Sequence, residues 1–328
     1  MKRFRTIVIT SLLAIIASQT LAFQEQAIDP LKQRTMHVAV RENTAFLSVT
    51  AGLKIVDLSD ITSPREISTV VLPQSSTYCA INGDVVYVAQ GPAGVYAVSI
   101  SDKENPRIIG VCADIHGSAM MVDPWNGFLA VAAGNGGALF WDISGGIDPV
   151  RRFDLYNGDL YVRGAKFHDQ RLFICAGEMV GCVDMNQIMR EESVLGETHI
   201  SWVECAGDAR DIAFLDNHAF VAEGKHGVSV LDISNPGSIR YIRTVLTSDF
   251  AHGIACKGST VYVADGLAGV AVLDASDPTH IRVVRQLDTL DGYGNKITIQ
   301  GNRLFVANDW QGFLVFDIED ALSPRLIH

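Results

Sequence analysis

Val261-Tyr262-Val263-Ala264, then Gly266, then Gly269-Val270-Ala271-Val272-Leu273-Asp274, then Asp277-Pro278: this stretch decides the fold. Its apolar runs are short and rich in β-branched and aromatic residues, which suit a pleated surface. Gly, Asp and Pro punctuate them as turn formers. The frame returns as Ala219-Phe220-Val221-Ala222, Gly227-Val228-Ser229-Val230-Leu231-Asp232 and Asn235-Pro236. It returns again at Leu304–Ala307 with Gly312–Asp317 and Ser323-Pro324, and at Val86–Ala89 with Gly94–Ser99 and Asn105-Pro106. The residues that end the third strand are Asp57, Ser99, Asp142, Asp184, Asp232, Asp274 and Asp317, at intervals of 42, 43, 42, 48, 42 and 43.

Each unit reads as four strands; in the sixth they are Gly253 to Lys257, Thr260 to Ala264, Gly269 to Asp274 and Ile281 to Leu287. No long stretch has the 3.6-residue period of a helical solenoid. A lone four-stranded sheet cannot cover both of its faces, whereas a closed ring of sheets covers them and leaves only short edges. The expectation is therefore an all-β, seven-bladed β-propeller with four antiparallel strands per blade, occupying 35–328 as a single domain. The Trp-Asp pair of WD-type repeats occurs here only as Trp141-Asp142 and does not recur. The fourth unit departs from the frame: Met185 to Glu197 replaces the usual turn and could form a short helix.

Leu53-Lys54-Ile55-Val56-Asp57 and Val230-Leu231-Asp232-Ile233-Ser234 resemble the motif of the LVIVD-repeat proteins, exported bacterial and archaeal propellers. The resemblance extends over all seven units. It implies fold and export, and brings no catalytic residue with it.

Residues 1–22 read as a secretory signal peptide: Lys2, Arg3 and Arg5 precede an apolar run, and Thr20-Leu21-Ala22 offers a small-residue cleavage site. The run is too short for a membrane span, which needs about 20 residues. Its removal takes the formal charge from -11 to -14. So acidic a chain is a poor partner for nucleic acid. The expected location is periplasmic or extracellular, at the cell surface or free, as a monomeric domain with no membrane span after cleavage. Residues 23–34 form an N-terminal segment that could close the last blade, since Ala27-Ile28-Asp29-Pro30-Leu31 resembles the turn into a fourth strand; Pro324-Arg325-Leu326-Ile327 offers a competing one. Six cysteines in an exported chain permit disulfides. Cys175 and Cys182 flank one hairpin and are the candidate pair, with buried free thiols the alternative.

The recurrent Asp residues sit where a strand enters a turn, and an Asp there accepts the backbone N–H two residues on. They are scaffold. Function is expected where the units differ. Aligned on the first strand, they place Met36, Thr77, Ser118, Arg163, Arg210, His252 and Asn295 around the channel, with Lys296 next to Asn295. The loops joining second to third strands bring Glu223, Lys225, His226, Asp265, Asn308, Asp309 and Trp310 to the same face. Clustered Arg and an exposed Trp suit an anionic or polar ligand or a protein partner, because a guanidinium pairs with carboxylate or phosphate as a fork. A solvated rim with internal pairs, such as Arg210 with Asp211 or Glu223, is the competing reading.

H-E-x-x-H, G-x-S-x-G and G-x-x-x-x-G-K are all missing from the sequence. Gly134-Asn135-Gly136-Gly137 falls between two strands and so lacks the helix N-terminus of a dinucleotide site. The expectation is a non-catalytic binding scaffold with no cofactor or metal. The alternatives are a hydrolase, with or without metal assistance, using His252, Glu223 and Asp265, and a structural part of a surface assembly acting through the fourth blade.

Overall fold

The computed structural model describes residues 31–113, 115–144, 152–156, 159–186, 200–235 and 237–328. The expected signal peptide lies outside the described residues, as do most of 23–34 and all but Met185 and Asn186 of the irregular fourth-unit segment. Among the described residues no helix is long and apolar enough to cross a membrane.

Seven four-stranded antiparallel sheets are present, each with its strands in sequence order. Their inner strands, defining blades 1 to 7, are Thr35–Arg41, Tyr78–Asn82, Met121–Trp125, Val162–His168, Asp211–Leu215, Ala251–Lys257 and Lys296–Gln300. The chain is thus a seven-bladed β-propeller. Blade 6 shows the pattern, with strands Ala251–Lys257, Thr260–Asp265, Val270–Asp274 and Arg282–Leu287.

The near-continuous apolar runs follow from double burial. Successive side chains of a strand point to opposite faces, and both faces of each blade are covered by neighbours. Val261 and Val263 pack with Phe220 and Val230 of blade 5. Tyr262 and Ala264 turn the other way, onto Leu304, Val306 and Phe316 of blade 7. Tyr262 is fully buried, and its hydroxyl donates to the Ala321 carbonyl at 2.7 Å. The blade 7 to blade 1 junction has an equivalent cluster, in which Phe305 and Val315 meet Val38 and Leu47.

In blade 7 the outer strand is Arg325–Leu326, from the C-terminus, prolonged by Ile327 N–H donating to the Val315 carbonyl at 2.8 Å. Leu31 is buried beside Phe313 in the same junction. A Cβ on Gly312 would collide with the Leu31 carbonyl oxygen, much as one on Gly269 would with the Leu287 oxygen in blade 6. Leu31 therefore stands where the last residue of an outer strand stands elsewhere.

At the lower rim the Asp turns form as their chemistry dictates. Asp57, Asp142, Asp232, Asp274 and Asp317 each accept the amide two residues on, at 2.8 to 3.1 Å. At the opposite rim, the loops between second and third strands bridge to the entry of the next blade through Gly91–Ala119, Gly134–Val162, Gly224–Ala251, Gly266–Gly294 and Asp309–Thr35. The first residue of each pair has left-handed φ, from 47° at Asp309 to 59° at Gly134 and Gly266. Glycine takes that conformation without cost. These bridges fix the mouth described next.

Candidate functional site at the channel mouth

Each blade supplies the mouth from the start of its inner strand or the residue just before it, blade 7 with both Asn295 and Lys296. Thr77, Met120, Arg210 and Asn295 reach it in regular register, their N–H groups donating to Ala89, Ala132, Ala222 and Ala307 at 2.8 to 2.9 Å. In blades 1, 4 and 6 the register shifts between Thr35 and His37, between Val162 and Gly164, and between Ala251 and Gly253. The extra residues are Met36, Arg163 and His252. A bulge leaves its additional residue unpaired and re-aims its side chain, which is how these three reach the channel. The bulge in blade 6 requires Gly253: a Cβ there would lie 2.7 Å from Lys296 Cα and 2.8 Å from the Asn295 oxygen.

Met36, Thr77, Met120, Arg163, Arg210, His252, Asn295 and Lys296 line one cavity of about 200 Å³. Sequence alignment of the units brought all of these together except Met120, for which it gave Ser118. The hydrogen-bond register explains the difference, because in blade 3 it is Met120, not Ser118, that pairs with the last residue of the second strand.

Asp208, which the sequence reading passed over, organises the arginines. Arg163 Nε donates to both its oxygens at 3.1 and 2.8 Å, and an Arg210 terminal nitrogen lies 3.0 Å from Oδ2. The expected pairing of Arg210 with Asp211 or Glu223 is replaced by this one. Arg163 stacks over Tyr161 at 4.7 Å and Arg210 over Phe250 at 4.5 Å. His252 Nε2 lies 2.6 Å from the Tyr293 hydroxyl. Burial, reinforced by Arg210, Lys296 and Arg163, pushes its pKa down to about 3, so the imidazole is neutral. Two buried donors at the mouth, Arg210 Nε and Asn295 Nδ2, have no hydrogen-bond partner among the described residues. A buried donor left unmade costs about 1–3 kcal/mol.

Beneath the mouth lies Asp211. Lys166 Nζ donates to its Oδ1 at 2.7 Å, and Lys296 Nζ to its Oδ2 at 2.9 Å. Burial raises the Asp211 pKa, but the two ammonium groups outweigh it and hold the carboxyl at about 2. Lys296 also reaches the His252 carbonyl at 3.3 Å, so blades 4, 5, 6 and 7 meet on this one cluster. His37 and Tyr78 stack at 3.7 Å on the far side of the ring, in blades 1 and 2.

The loop candidates do not line this cavity. Asp265 is buried and accepts the Ser248 amide at 2.9 Å and Gln286 Nε2 at 3.2 Å, anchoring the crossover into blade 6. Asn308 does the same for blade 7 by donating to the Thr289 carbonyl at 2.8 Å. Glu223 occupies the equivalent position under the crossover into blade 5. Its oxygens lack well-formed hydrogen bonds, although the Ser229 hydroxyl, the Cys205 thiol and the Ala206 and Gly207 amides lie near enough to oppose the effect of burial, which pushes its pKa up to about 7. His252, Glu223 and Asp265 thus have separate environments, and among the described residues no group of three His, Cys, Asp or Glu side chains is placed to hold a metal. Trp310 is exposed on the same face, with the Arg34 guanidinium 5.1 Å from its ring.

Cys175 and Cys182 are buried and unbridged. Cys175 pairs with Val180 and Cys182 with Phe173, so the two thiols are diagonal rather than opposite.

Three solved structures share the architecture. The computationally designed Ika8 protein aligns with a TM-score of 0.64 at 11% identity, over 86% of this chain and 83% of its own. U3-55K gives 0.68 at 8%, over 84% and 89%. BamB from Moraxella catarrhalis gives 0.59 at 16%, over 86% and 84%. At these identities the likeness is one of fold. Comparison with curated proteins gives no match. The LVIVD repeat model matches residues 33–71, 76–114, 206–247, 250–289 and 291–328. Those are blades 1, 2, 5, 6 and 7, together more than half of the sequence, and the chain belongs to the LVIVD repeat family.

Proposed function

We propose that this protein is an exported, non-catalytic binding module whose channel mouth holds an oxyanion, a carboxylate or phosphate, of a ligand or partner. One observation carries the reading: three cationic side chains, Arg163, Arg210 and Lys296, line one cavity beside Asn295. An oxyanion in that cavity meets cationic donors, and hydrogen bonds between charged groups are the stronger kind. Stacking of both guanidinium groups on Tyr161 and Phe250 holds them in place before any ligand arrives, which reduces the entropy lost on binding. Export is supported by the order of residues 1–22 and by membership of the family.

Titration calorimetry with inorganic phosphate and with acetate tests this. Saturable binding is expected, weakened roughly 10- to 100-fold in Arg210→Gln, while the melting temperature falls by no more than about 4 °C. Absence of saturable binding of either anion, or an Arg210→Gln variant that binds as the parent does, contradicts it.

A further inference from the structure

The five most exposed large apolar side chains among the described residues are Val71 (76%), Leu267 (75%), Leu246 (71%), Trp310 (69%) and Leu290 (54%). Single exposed apolar residues are ordinary, but a cluster marks an interaction site. All five lie on the mouth face. Val71 ends the outer strand of blade 1, where the chain crosses to blade 2. Leu246 and Leu290 lie in the crossovers into blades 6 and 7, which lead directly to His252 and Asn295. Leu267 and Trp310 tip the loops between second and third strands of the same two blades. Four apolar tips therefore form a crown over the arc that supplies Arg210, His252, Asn295 and Lys296.

The crown is held in shape. Leu290 and Asp291 have φ of 53° and 61°, a region costly for residues other than glycine. The Leu290 amide donates to Asp288 Oδ1 at 2.8 Å, and Asn308 fixes the adjacent Thr289 carbonyl. The Leu267 amide donates to Asp249 Oδ2 at 2.8 Å. Strain and side-chain anchors here keep leucines in water, where nothing in the fold uses them.

We infer that the crown and mouth together dock a polypeptide segment with apolar side chains flanking a carboxylate, the carboxylate entering the mouth and the apolar side chains covering Leu246, Leu267, Leu290 and Trp310. The carboxylate rests on the reading of the mouth given above. Charge selects a polypeptide over a lipid surface. The chain is acidic overall, and Asp249, Asp288 and Asp291 stand among the apolar tips, so an anionic bilayer would be repelled at the crown. A flexible peptide can thread its anion past those carboxylates to the arginines.

The test uses N-terminally tethered random octapeptides with free C-termini, screened with the labelled protein at 150 mM salt. Leu, Ile, Phe or Met should be enriched within a few residues of Asp, Glu or the terminal carboxylate. The Leu267→Ser/Trp310→Ser variant should lose about tenfold or more in affinity for the selected peptides, while its phosphate affinity stays at the parent value. No apolar enrichment, or a crown variant that binds as the parent does, overturns the inference. Binding to phosphatidylglycerol vesicles in place of peptides overturns it, as does crown-dependent dimerisation in sedimentation without peptide binding. The two readings separate cleanly: if Arg210→Gln leaves peptide affinity intact while the crown variant loses it, the mouth reading fails and the crown remains the docking surface.

Discussion

The two rims of this propeller are made from the same seven units and use aspartate in opposite ways. At the lower rim each Asp closes its own turn within three residues, in water, and Arg240, Arg282 and Arg325 reach back to Asp232, Asp274 and Asp317 at 2.6 to 3.4 Å. Such pairs contribute little, because water screens them. In the channel, Asp211 is buried and binds two lysines from different blades. Repetition at one rim builds the ring, and the loss of repetition at the other builds the site. The contrast also explains why the recurrent acids, the most visible feature of the sequence, are the least informative about function.

Breaking Asp211 should have the largest effect. Asp211→Asn leaves Lys166 and Lys296 as buried ammonium groups without a carboxylate, and removing one partner of a buried pair costs about 3–5 kcal/mol. Thermal unfolding should show a fall of roughly 10 °C; replacing both lysines by Met in the same chain should recover much of it. A fall confined to a degree or two would mean that the channel cluster is as solvated as the lower rim.

Glu223 should show the opposite sign. Its folded pKa, about 7, lies above the ordinary value of 4.5. The folded chain then binds the extra proton, so stability is greatest below pH 4.5 and is lost as pH rises toward 7. The loss is at most about 3 kcal/mol. Melting temperatures of the parent should fall between pH 5 and pH 8 more than those of Glu223→Gln. Parallel profiles would place that carboxyl in contact with water.

Gly253→Ala should come next, at about 1–3 kcal/mol, because its Cβ meets the backbone of Lys296 and Asn295. Anion affinity should fall with stability in this variant, as the bulge that aims His252 is displaced. Asp274→Ala at the lower rim should change the melting temperature least of all and leave anion binding untouched; a larger loss than that of Gly253→Ala would overturn the ranking of the two rims.

The blade number and the mouth ring were legible in the sequence because both follow from register. Six of the seven ring positions survive, and Ser118 gives way to Met120 because a repeat aligned on residue type cannot see which N–H pairs with which carbonyl. Asp265 and Glu223 looked like mouth residues because they are charged and sit in the right loops. Their burial under the crossovers depends on how each loop folds over the next blade, which no pattern within one unit records. Asp208 and Tyr293 were missed for a related reason: they lie in crossovers, two residues before Arg210 and Asn295, and the residue type at that register position changes from blade to blade, so the repeat does not mark it. Cys175 and Cys182 flank a hairpin in sequence, yet only the strand register shows them to be two residues out of step.

The most direct test of the mouth is diffraction from crystals soaked in selenate, with anomalous scattering locating the selenium. The account predicts a peak in the cavity lined by Arg163, Arg210, Asn295 and Lys296, absent from Arg210→Gln. Selenate bound elsewhere on the surface with the mouth empty, or a peak undiminished in the variant, would contradict it.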